Sequence, residues 1–149
     1  MKKKFLLTLA LVAGLGITGF ATTADAGNIK DEPYTFYISS SGSIAHTDIR
    51  PKYDSTSAYI RHDYLQRTAY SNNAYRVAVV DSKGDYFSKT WWTPYFYCFS
   101  YPPTEAWIPN YAYEDKGYGV QVRLRAEGEG GSGIWSATGV WSPDSVGGN

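Results

Sequence analysis

The chain has 149 residues, 14 basic and 14 acidic side chains, and one cysteine. So balanced a charge leaves no basic surface to neutralise phosphates, which argues against nucleic acid as a partner. A lone cysteine rules out an internal disulfide, so an exported domain of this size must stand on its apolar core.

The first residues read as an export signal. Met1-Lys2-Lys3-Lys4 is basic, Phe5 to Phe20 is apolar, and Ala24-Asp25-Ala26 gives the small-x-small pattern cut by a signal peptidase. The apolar run is short against the roughly 20 residues a membrane span needs. Cleavage is expected after Ala26, leaving residues 27–149 as one secreted domain with no membrane span. That mature chain has about 123 residues, a usual single-domain size, and a net charge near about −2 at neutral pH. It keeps 14 Tyr and 5 Trp, side chains with a large apolar face and one polar handle.

Gly27 to Pro33 is polar and reads as a frayed leader. Tyr34 to Ser39 alternates, with Tyr34, Phe36 and Ile38 on one face, and predicts a strand. Ile44 to Asp54 contains Pro51 and reads as a loop or edge segment. Ser55 to His62 predicts a second strand, after which Asp63 is placed to cap a short helix over residues 64–67. Tyr75 to Asp81 is a strand, Ser82-Lys83-Gly84 a turn, and Asp85 to Lys89 the antiparallel return. Thr90 to Tyr101 is an aromatic band interrupted by Pro94. Thr104 to Glu114 reads as a long aromatic loop or one turn of helix. Tyr118 to Glu127 has one apolar and one wet face. A glycine-rich turn then leads to a partner run ending at Trp141-Ser142-Pro143, which predicts a closing hairpin. In that run either the Trp135, Ala137, Gly139, Trp141 face or the Ile134, Ser136, Thr138, Val140 face could look inward. The terminal Trp141 to Ser145 is expected to latch the fold: Trp141 packs, Pro143 stops the strand, and Asp144 or Ser145 satisfies backbone donors.

These elements predict an all-β fold, a small antiparallel β-sandwich or partly open barrel of about six to eight strands. Thr56-Ser57-Ala58-Tyr59, Ile108-Pro109-Asn110-Tyr111 followed by Gly117-Tyr118, and Gly139-Val140-Trp141-Ser142-Pro143-Asp144-Ser145 resemble a group of small secreted Gram-positive bacterial proteins built on a domain of unknown function. The resemblance covers most of the mature chain; it implies an extracellular setting and brings no catalytic residues. A more distant likeness is to lactococcin 972-like bacteriocins, also exported, all-β and rich in glycine and tryptophan.

Enzymatic chemistry finds little support in the residues. Cys98 lies between Tyr97 and Phe99, where a buried structural thiol is the simpler reading. His46-Thr47-Asp48 and His62-Asp63 match no zinc spacing. Asp81 and Asp85 flank a turn with too few ligands for calcium. Glu105, Glu114, Glu127 and Glu129 would need a facing pair for glycoside hydrolysis. No cofactor or metal is expected. The surface candidates are aromatic: Trp91, Trp92, Trp107, Tyr111 and Tyr113 are expected to supply an exposed patch. The resulting expectation is a non-enzymatic binding domain for a cell-wall polysaccharide or a surface protein, with a bacteriocin-like toxin or accessory factor as the alternative.

Overall fold

The computed structural model describes residues 27–66, 73–93, 95–97, 104–130 and 132–146. The expected export signal and Cys98 lie outside the described residues. In chain order the elements are β1 (Glu32–Ser40), β2 (Ile44–His46), β3 (Arg50–Lys52), β4 (Ala58–Leu65), β5 (Ala74–Asp81), β6 (Phe96–Tyr97), β7 (Thr104–Ile108), α1 (Ala112–Lys116), β8 (Val120–Glu129) and β9 (Ser132–Ser142). They form a four-stranded sheet, β1-β9-β4-β7, and a five-stranded sheet, β2-β8-β5-β6 with β3 also on β8. All the pairings are antiparallel, and the two sheets enclose one core.

Period-two alternation builds that core. β1 contributes Tyr34, Phe36 and Ile38, and β5 contributes Tyr75, Val77 and Val79; β8 adds Val122, Leu124 and Ala126. On β9 the face that looks inward carries Trp135, Ala137 and Trp141, while Ile134 is exposed. Gly139 belongs to this inward face because no side chain fits there. A Cβ on it would lie 1.9 Å from Arg61 O and 2.8 Å from Tyr34 Oη.

The structure corrects several local expectations. β8 and β9 are consecutive but do not form a hairpin. β8 pairs with β5, β2 and β3, whereas β9 pairs with β1 and β4, so the glycine-rich link carries the chain from one sheet to the other. Gly130 and Gly133 take positive φ (66° and 84°) in this crossing. Asp63 caps no helix: β4 runs on to Leu65 through a register shift between His62 and Tyr64, which keeps Leu65 buried opposite Ala137. The return after the Ser82-Lys83-Gly84 turn pairs only at Tyr86, opposite Val80. Contact with β5 resumes at Thr93, whose N–H donates to Val77 O at 2.9 Å, and continues into β6. Thr104–Ile108 is a strand against β4 rather than loop, and one short helix follows it. Residues 44–52 supply two short strands on β8.

The chain end is a latch built around a buried ion pair. Lys52 Nζ lies 2.9 Å from Asp144 Oδ1, and both side chains are fully buried. The ammonium also donates to Pro143 O at 2.7 Å and to Thr56 O. Asp144 Oδ2 accepts the N–H groups of Tyr53 at 3.0 Å and Asn28 at 2.6 Å. Ser145 N–H donates to Thr56 Oγ1, and Arg50 Nη1 donates to Trp141 O at 2.9 Å. The Arg50 guanidinium lies 5.3 Å from the centroid of the Trp141 ring. β9 ends at Ser142, directly before Pro143. Gly27 to Pro33 is therefore no frayed leader at its start, because Asn28 is tied into the latch.

Candidate functional site

Register places a row of side chains on the outer face of the four-stranded sheet. Ser142 of β9 lies opposite Tyr59 of β4, and Tyr59 lies opposite Trp107 of β7. Trp107 alternates with the inward Ile108, so its ring is 43% exposed. The Tyr59 and Trp107 rings are 5.7 Å apart and tilted by 53°. Glu105, two residues before Trp107, shares this outer face. With Ile29 and Asp31 from the amino-terminal segment, these residues line a cleft of about 310 Å³. Burial, together with a hydrogen bond and the charge of Glu105, pushes the Tyr59 phenol up to about 12. The phenol therefore stays protonated at physiological pH. The cleft combines two rings, two carboxylates and the hydroxyls of Ser142 and Ser145.

The five expected aromatic residues do not converge on this one cleft. Trp107 lines it, but Trp92 lies against the other sheet's outer face. There the Arg76 guanidinium is 4.6 Å from the Trp92 ring centroid and pairs with Glu127 at 3.3 Å. Tyr86 meets Trp92 edge-on at 6.0 Å and stands under Arg125. Trp92 is thus already engaged on several sides. The Trp91 and Tyr111 rings lie 5.6 Å apart, tilted by 30°, beside Lys89, where Thr90 bridges Asn110. Tyr113 is half-buried on α1. Tyr59 and Asp31 escaped sequence reasoning as site residues, and Glu105 was read only as a candidate hydrolytic carboxylate, because strand register and an amino-terminal segment bring the three together. The one available signal was period two in Glu105-x-Trp107.

The histidines have structural surroundings. His46 lies opposite Arg125, and burial followed by the charges of Arg123 and Arg125 lowers its pKa, so it is neutral near pH 7. Cations so near disfavour a bound metal ion. His62 is 1% exposed; its Nδ1 lies 2.8 Å from Tyr75 Oη, which lies 2.9 Å from Tyr34 Oη. Burial raises both phenols. Tyr34, Tyr75 and a neutral His62 thus form one continuous buried hydrogen-bonded chain, in which the His62 tautomer sets which atom donates at each link. Burial depresses the His62 pKa to about 4. An imidazole held neutral contributes stability in full above its unfolded value near about 6.5, and loses it as pH falls towards the folded value. Urea midpoints should accordingly drop between pH 6.5 and 4 by the equivalent of about 3 kcal/mol. His62→Gln should flatten that slope; an unchanged slope would contradict the assignment.

The Asp81 turn is a plain one, with Asp81 Oδ1 accepting N–H groups from Lys83 and Asp85. Among the described residues no group of three or more His, Cys, Asp or Glu side chains is placed to hold a metal ion. No described helix is long and apolar enough to cross a membrane.

No curated protein and no solved structure matches the chain. A family model described as "Protein of unknown function (DUF2712)" matches residues 21–145. That match spans most of the sequence, and the chain belongs to this DUF2712 family.

Proposed function

We propose that the protein is an exported, non-enzymatic binding module that holds a neutral or amino-sugar cell-wall glycan in the Tyr59–Trp107 cleft. The observation that carries this reading is an exposed tryptophan paired with a tyrosine in a concave site that also holds Asp31 and Glu105. An indole face stacks on the C–H face of a sugar ring, while carboxylates accept from sugar hydroxyl or ammonium groups. Two carboxylates in one cleft repel phosphate-rich polymers, which is why the glycan strand is favoured over an anionic wall polymer. The export signal and the likeness to secreted Gram-positive proteins support an extracellular wall setting.

The test is co-sedimentation of residues 27–149 with purified wall glycan stripped of its phosphate polymers. Trp107→Ala should weaken binding about tenfold or more while leaving the melting temperature nearly unchanged. Trp92→Ala, on the opposite face, should leave binding intact. Absence of sedimentation, or equal binding by Trp107→Ala, would sink the cleft as the site. Release of soluble sugar would overturn the non-enzymatic reading, and growth inhibition of related bacteria would replace it with the toxin alternative.

A further inference from the structure

Asn28 is held from four directions. Its N–H donates to Asp144 Oδ2 at 2.6 Å, and its side-chain amide donates to Pro51 O at 2.8 Å. Its Oδ1 accepts from Arg50 Nη2 at 2.7 Å, and its carbonyl accepts the Asp144 N–H at 3.4 Å. The chain is thus pinned directly after Gly27. Gly27 itself sits between two carboxylates. A Cβ on it would lie 2.4 Å from Asp54 Oδ2, 2.9 Å from Asp144 Cβ and 3.2 Å from Asp144 Cγ. A side chain at position 27 would have no space between these two carboxylates.

Backbone geometry then puts the Gly27 nitrogen within about 5 Å of Asp54 Oδ2. Asp54 Oδ1 is occupied by the Thr56 N–H and hydroxyl, which leaves Oδ2 as the oxygen turned towards Gly27. Lys52 balances Asp144, but among the described residues no basic side chain forms an ion pair with Asp54. A cation beside Asp54 Oδ2 would therefore complete a second ion pair next to Lys52–Asp144.

We propose that hydrolysis of the Ala26–Gly27 bond on export supplies this cation, the new Gly27 ammonium seating against Asp54 beside the Lys52–Asp144 pair. Water adds across the amide: Ala26 leaves as a carboxylate, and the Gly27 nitrogen takes up a proton to become an ammonium. Processing then completes the latch and stabilises the domain it releases. Before cleavage the same nitrogen offers one neutral N–H. This inference rests on the export reading above and is independent of what the cleft binds.

A fusion cut directly before Gly27 yields the chain with a free Gly27 ammonium, to be compared with the same chain preceded by Ala-Ala. The free-ammonium chain should melt a few degrees higher. Asp54→Asn keeps the acceptor for Thr56 but removes the charge. It should lower the melting temperature of the free-ammonium chain and leave the extended chain nearly unchanged. Equal melting of the two parents, or an equal Asp54→Asn effect in both, would overturn the seat. Intact mass and amino-terminal sequencing of protein exported from a Gram-positive host test the cleavage separately. A first residue other than Gly27 would overturn the inference through the export reading alone.

Discussion

Asp144→Ala is expected to cost about 3–5 kcal/mol, because it strands the Lys52 ammonium in the interior without its counter-ion. Lys52 is fully buried, and two carbonyls cannot neutralise its charge. The same substitution orphans the N–H groups of Tyr53 and Asn28 and so frees the amino-terminal segment. Lys52→Met should cost less, since the remaining carboxylate keeps two backbone donors. Lys52→Met with Asp144→Leu should recover part of the Asp144→Ala loss, because neither charge is then buried. Urea denaturation of the three variants reads this order directly. An Asp144→Ala variant within about 1 kcal/mol of the parent would refute the latch as a major source of stability.

The acid sensitivity of the latch is separable from that of His62. Burial alone would raise the Asp144 pKa; the Lys52 hydrogen bond and charge and the Tyr53 and Asn28 N–H groups outweigh it and hold the carboxyl below its usual range. A depressed carboxyl contributes its stability in full above the unfolded value near about 3.9 and loses it as pH falls through the folded value. Loss attributable to Asp144 therefore begins where the His62 window, from 6.5 down to about 4, ends. In His62→Gln the first phase should shrink to the smaller contribution of His46, while the second remains.

What was legible beforehand follows from which interactions are local. Alternation over Tyr34–Ser39, Tyr75–Asp81 and Tyr118–Glu127 marks strands because each inward side chain is apolar in its own right. The crossing from β8 to β9 was not legible. An inward face of Val122, Leu124 and Ala126 reads the same whether the next strand pairs beside it or lies across the core. β7 was hidden because a five-residue edge strand buries little besides Ile108. The role of Lys52 was hidden because a lysine after a proline reads as solvated surface until Asp144 closes over it. Trp107 was legible as a surface ring; its partner Tyr59 lies 48 residues away and is supplied by register.

Trp141→Ala is expected to cost a similar amount, about 3–5 kcal/mol, or on the order of 10–20 °C in melting temperature for a domain of this size. The ring is 1% exposed and lies opposite Ile60 in the core, with Arg50 over one face. Its loss opens a cavity that the surrounding strands close only in part, since Gly139 already holds β9 so near Arg61 O that no Cβ fits between them. The Arg50 bond to the Trp141 carbonyl survives the substitution, so the effect reports the ring and not the strand end. Trp141→Phe should recover about half of the loss. Combined with Asp144→Ala, the cost should fall short of the sum of the two, since either change loosens the same strand end. The contrast with Trp107→Ala is the decisive one: one tryptophan should govern melting and leave the cleft's chemistry intact, the other should govern binding and leave melting intact. A Trp141→Ala protein that melts with its parent would place the core's weight elsewhere and remove the latch from the account of this fold.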